Sequence, residues 1–99
     1  MRLTPQAREI IRNTTAEVFG PEARVKLFGS RTDDSLRGGD IDLLVELPRH
    51  QPDAHRKSLT LVAHLQMRLG DQPIDVLVID PETPLQPIHR QAAASGIAL

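Results

Sequence analysis

Two aspartates, Asp40 and Asp42, sit at the start of an otherwise apolar run, Asp40-Ile41-Asp42-Leu43-Leu44-Val45. On an extended strand, residues two apart share a face, with Cα atoms about 6.6 Å apart. Two like charges on one face of a half-buried strand repel each other and resist desolvation, and a divalent cation relieves both problems. Carboxylate oxygens with open coordination positions suit Mg²⁺ shared with substrate phosphates. A third carboxylate, Asp75, interrupts Pro73-Ile74-Asp75-Val76-Leu77-Val78-Ile79, a run rich in β-branched residues that reads as a fully buried strand. A lone buried carboxylate is costly. Asp75 becomes sensible if its strand lies beside the first and it joins Asp40 and Asp42. Three converging carboxylates can hold two metal ions, one chelating a triphosphate and the other activating a nucleophile, the arrangement of phosphoryl and nucleotidyl transfer. The plainer alternatives are a surface Asp pair at a strand end and, for Asp75, a strand-edge residue facing solvent.

An anion site precedes the acidic pair. The apolar run Val25-Lys26-Leu27-Phe28 reads as a strand and turns at Gly29-Ser30. Gly29 has no Cβ, so it allows a sharp turn and close approach of a phosphate to the backbone. Ser30 can cap a short following helix and donate its hydroxyl, and the free N–H groups at such a helix start attract an anion. Arg31 falls in the first turn of that helix. A cation there is unfavourable unless an anion is near, so Arg31 either faces a triphosphate or pairs at the surface with Asp33 or Asp34. Arg37, in the glycine-bearing loop before Asp40, is a further candidate phosphate contact.

The elements that must hold these residues are well punctuated. Thr4 and Pro5 open a helix with an apolar stripe of Ala7, Ile10, Ile11, Thr14 and Val18, ended by Gly20-Pro21. Strands follow over about Arg24 to Phe28 and about Asp40 to Leu47, the second stopped by Pro48. Asp53 is placed to cap a helix from about Ala54 to Leu69, which Gly70 ends. The third strand carries Asp75. A proline-broken loop then leads to a short helix, about Pro87 to Ala94, with Ile97-Ala98-Leu99 left to lie against the body. His50, His55, His64 and His89 have no second ligand at zinc-like spacing, so surface or capping roles are expected for all of them.

Composition excludes several classes of function. The chain has 99 residues, a length that predicts one domain. With a formal net charge of -1 there is no basic excess to suggest direct nucleic-acid binding. Two phenylalanines are the only aromatics, too few for a base-stacking platform. Cysteine is absent, which excludes disulfides and thiolate chemistry and is compatible with the cytoplasm. No run is long enough to span a membrane, and the N-terminus does not read as a signal peptide.

Taken together, Gly29-Ser30, the intervening loop, Asp40-Ile41-Asp42 and the later Asp75 resemble the minimal nucleotidyltransferases (MNT) of the DNA polymerase beta superfamily, small proteins often encoded beside a HEPN-domain partner and including MntA-type antitoxins. The resemblance covers about Met1 to Ile79. It implies an α/β (α+β) fold, a short mixed β-sheet flanked by helices. It also implies that Gly29 and Ser30 hold nucleotide phosphates, that Asp40 and Asp42 bind two Mg²⁺ ions (Mn²⁺ also fits), and that Asp75 completes the metal site and acts as general base. Many relatives have a more Arg-rich start, whereas here Gly29-Ser30-Arg31-Thr32-Asp33-Asp34 leaves Arg31 as its sole arginine.

Larger relatives carry a helical domain that holds base and acceptor, for which this length leaves no chain. Either a HEPN-like helical partner or a second copy supplies the acceptor surface, or the domain has weak activity alone. The expected reaction moves a nucleoside monophosphate, AMP from ATP, to a hydroxyl of the partner. The rival readings are a non-catalytic module that masks its partner, and transfer to a small molecule such as an aminoglycoside.

Overall fold

The computed structural model describes residues 3–29 and 41–99. Helix α1 (Pro5–Phe19) begins where expected: Thr4 Oγ1 accepts the Ala7 N–H at 3.0 Å, and Pro5 occupies the first turn. Gly20 ends α1 and Gly70 ends α2 (Ala54–Leu69), with φ of 105° and 96°, conformations that L side chains resist. The two helices are tied together by Arg68, which donates to Thr14 Oγ1 at 2.7 Å and Glu17 Oε2 at 2.6 Å. Thr14 and Thr15 are buried at little cost, because their hydroxyls donate to the carbonyls of Ile10 and Ile11.

Three further strands and one helix surround β1 (Arg24–Phe28). They are β2 (Ile41–Glu46), β3 (Ile74–Ile79), α3 (Pro87–Ser95) and β4 (Ile97–Ala98). The sheet order is β3-β2-β1-β4. β1 is antiparallel to both β2 and β4, and β2 is parallel to β3, so the sheet is mixed. The parallel pair is joined through α2, since parallel neighbours need a crossover. The α+β architecture and mixed sheet agree with the sequence expectation.

Strand alternation sorts the side chains into two faces. Val25, Leu27, Ile41, Leu43, Val45 and Ile74 point to α1 and α2, where they meet Ile11, Phe19, Leu61 and Leu65 in one continuous core. Each fully buried Leu or Ile there contributes about 1.5–3 kcal/mol relative to exposure. The other face carries Lys26, Phe28, Asp42, Leu44 and Glu46. α3 packs over part of it: Ala92 and Leu44 are buried, Lys26 Nζ donates to the Ala93 carbonyl at 3.2 Å, and the same Nζ lies 3.3 Å from Glu46 Oε1.

Two sequence expectations need correction. β3 is not a buried strand. It sits at the sheet edge, only Ile74 is buried, and Asp75 is exposed. Asp53 makes no side-chain capping bond at α2. Its backbone is not extended as an N-cap's usually is (ψ 17°), and its carboxylate pairs with Arg56 (3.1 Å) and Lys57 (3.5 Å) instead. The residues after Gly96 lie against the body as expected, and they do so as a strand: Ile97 and Ala98 form β4, and the Leu99 N–H donates to the Val25 carbonyl at 3.1 Å. Among the described residues, no helix is long and apolar enough to cross a membrane.

Candidate active site

Asp42 lies on the second residue of β2, with β1 on one side and β3 on the other. Its register partners are Phe28 on β1 and Asp75 on β3. In-register neighbours on adjacent strands have backbones about 4.8 Å apart and side chains on the same face. The two carboxylates therefore rise side by side from one face of the sheet. Asp42 is half-buried and Asp75 is exposed.

Gly29 completes the described part of the site. It follows β1 with φ 78°, in the left-handed region. A Cβ at this position would collide with Oδ2 of Asp42 and lie 3.2 Å from its Cγ. The backbone at Gly29 thus passes close against the Asp42 carboxylate, a path that only glycine permits. Of the residues singled out from the sequence, the structure brings together Gly29, Asp42 and Asp75. Ser30, Arg31, Asp40 and the short helix after Gly29 lie outside the described residues, as does Arg37.

The chemistry of this donor set fits a hard divalent cation. Two carboxylates side by side, one with an open solvent side, can give oxygen ligands while leaving positions for phosphate and water. Among the described residues there is no group of three or more His, Asp or Glu side chains able to hold a metal, so the described part of the site is a two-carboxylate one.

His89, His64 and His50 make other contacts. His89 Nδ1 accepts the Gln86 N–H in the capping box of α3. His64 is half-buried on α2, and its Nδ1 has no hydrogen-bond partner. His50 Nδ1 lies 3.0 Å from Asp80 Oδ2 and 3.7 Å from Glu82 Oε2. That cluster was invisible to spacing arguments, because the chain returns to His50 only after β3. It stands at the opposite end of the parallel strands from Asp42 and Asp75. A cavity of about 1120 Å³, lined by Arg12, Arg24, Glu46 and Arg49 among others, also opens at that far end.

The model of the nucleotidyltransferase domain matches residues 8–97, a span that contains Gly29, Asp42 and Asp75. The chain belongs to this family. As a nucleotidyltransferase domain of the polymerase beta superfamily, it has transfer of a nucleoside monophosphate as its general activity. No curated protein matches it.

Proposed function

We propose that this nucleotidyltransferase domain is a minimal, Mg²⁺-dependent enzyme that transfers AMP from ATP to a hydroxyl of a partner protein. In this reading it acts in the cytoplasm as the antitoxin of a HEPN/MNT pair. The observation that carries the catalytic part is the register of Asp42 with Asp75 on adjacent parallel strands, with the Gly29 backbone against Asp42.

In the proposed reaction the partner's hydroxyl oxygen forms a bond to the α-phosphorus. The bond from that phosphorus to the bridging oxygen of the β-phosphate breaks, and pyrophosphate leaves with its electron pair. Asp75, the more open carboxylate, takes the hydroxyl proton. Asp42, with Asp40, would hold the Mg²⁺ ions, whose positive charge stabilises the charge developing on the phosphoryl oxygens. Gly29 keeps the backbone low enough for phosphates to approach, with Ser30 and Arg31 as their expected further contacts. Positioning the acceptor supplies much of the rate of such a transfer, with effective molarities worth roughly 7–11 kcal/mol. The domain is therefore slow on free small molecules, aminoglycosides included, and efficient on a docked protein.

The exposure of Asp75 favours keeping one rival reading. An exposed carboxylate costs the fold little, so it could persist in a domain that only masks its partner.

The experiment is to incubate the protein with the product of its neighbouring gene, Mg²⁺ and each NTP, then weigh the intact partner. A mass gain of one or more nucleoside monophosphates, abolished by Asp42→Asn, supports the enzyme. A tight complex with no mass gain, and neutralisation of the partner undiminished by Asp42→Asn, would establish the masking module instead.

A further inference from the structure

Helix α2 is apolar on two opposite sides. Its inner side carries Leu61 and Leu65 into the core, as an amphipathic helix should. Its solvent side should then be charged. Instead Leu59, Ala63 and Met67 are all exposed, Leu59 at 59% and Met67 at 84% of their surface. Residues four apart form a ridge along a helix. Between Lys57 and Arg68 the chain has no Asp, Glu, Lys or Arg, so no fixed charge interrupts this ridge. Arg68 is turned toward α1, where Thr14 and Glu17 hold it.

We propose that this face of α2 docks on the same face of a second copy of the chain, antiparallel, about a two-fold axis through Ala63. The ridge complements itself about that point. Leu59 and Met67 are equally far in sequence from Ala63, on either side. The two-fold axis therefore sets Leu59 of one copy against Met67 of the other, twice, and the two Ala63 residues against each other. Small side chains at the centre let the helix axes approach, and the large ones on either side fill the flanks. The charges agree with this pairing. Arg56, with its side chain 79% exposed and paired at the surface with Asp53, precedes the ridge by one turn, and the exposed Asp71 lies just past the end of the helix beyond Gly70. In the antiparallel pair each Arg56 comes toward Asp71 of the other copy, whereas a parallel pair would set Arg56 against Arg56.

A single helix face buries less than the roughly 800 Å² per partner of a standard interface, so the expected dimer is weak and concentration-dependent. It leaves Asp42 and Asp75 of both copies open, because α2 lies on the opposite face of the sheet from them.

The test uses the full chain, whose lack of cysteine makes crosslinking clean. Ala63→Cys is expected to form a disulfide-linked dimer on mild oxidation, far faster than the exposed control Gln91→Cys on α3. In sedimentation equilibrium from about 10 μM to about 1 mM, the wild type is expected to shift from monomer to dimer, and Met67→Glu to weaken dimerisation at least about tenfold. Adding Leu59→Lys to Met67→Glu places opposite charges across each contact and is expected to restore the dimer. Thermal melts check that these exposed substitutions leave the fold intact. A wild type that stays monomeric throughout, or Ala63→Cys that crosslinks no faster than the control, overturns the proposal. So does a dimer indifferent to Met67→Glu. A monomeric chain that loses another protein's binding through Met67→Glu overturns it in favour of a different occupant.

Discussion

Asp42 and Asp75 occupy the same register on parallel neighbours, yet one is half-buried against Gly29 and the other is exposed at the sheet edge. In the proposed reaction that asymmetry divides their roles. The tucked carboxylate holds metal there, and the open one takes the proton of the arriving hydroxyl.

Metal and nucleotide are expected to bind together. Mg²⁺ alone should bind weakly, because the carboxylates leave coordination positions to water, and more tightly with ATP, whose phosphate oxygens add ligands. Calorimetric titration of ATP with and without Mg²⁺ checks this. Titrations identical in both conditions and unchanged by Asp42→Asn would remove the site.

Asp75→Asn should leave stability almost untouched while removing activity. An exposed side chain outside any buried network changes stability by no more than about 0.5 kcal/mol, and relief of repulsion from Asp42 acts upward. Loss of a general base costs about 10²–10⁴ in rate. A melting midpoint that falls by many degrees would mean that Asp75 is structural.

Gly29→Ala should damage both fold and function. A side chain at φ 78° costs about 1–2 kcal/mol, and the new Cβ would also push against Oδ2 of Asp42. Denaturant unfolding and ATP titration on the same variant are expected to show both losses. A variant with wild-type ATP binding would disconnect this turn from the site.

Acid stability should depend on Asp80. Burial pushes its carboxyl up, but the Glu82 N–H, His50 and the Thr83 hydroxyl, all bonded to it, outweigh that and hold it below the usual value of 3.8. The native state thus binds this proton less readily than the unfolded chain does. The stabilisation is fully present above the unfolded value and is lost as pH falls through the lower native one. Unfolding curves from neutral pH to below pH 3.8 should show a decline that Asp80→Asn flattens. An equally steep decline in that variant would assign the acid sensitivity elsewhere, with Asp53 as the next carboxylate to test: burial pushes it up, but its own backbone N–H, Lys57 and Arg56 together hold it below the usual value.

Much of this molecule was legible because its boundaries rest on local chemistry. Thr4-Pro5, Gly20 and Gly70 act through bonds and dihedrals within a few residues, and the helices begin or end there. The juxtaposition of Asp42 with Asp75 was legible because charges in apolar strands demand each other or a cation. What failed depended on distant neighbours. Ile74-Asp75-Val76-Leu77-Val78-Ile79 has the same composition whether its strand is central or at an edge, and only the sheet order decides which. Asp53 satisfies every local rule for a cap but finds Arg56 and Lys57 instead. The pairing of Ile97 and Ala98 with β1 is too short to leave a periodic signal.

The collision that any Cβ at Gly29 would make with Asp42 also bears on how this domain could change over generations. The two positions are not independent. While the carboxylate stays, drift at position 29 is blocked by contact as well as by backbone dihedral. Once Asp42 is replaced by a smaller residue, the contact barrier disappears and only the dihedral remains. A descendant that keeps the fold but abandons catalysis should therefore lose its aspartate first and its glycine afterwards, so the order of substitutions would record when the chemistry was given up.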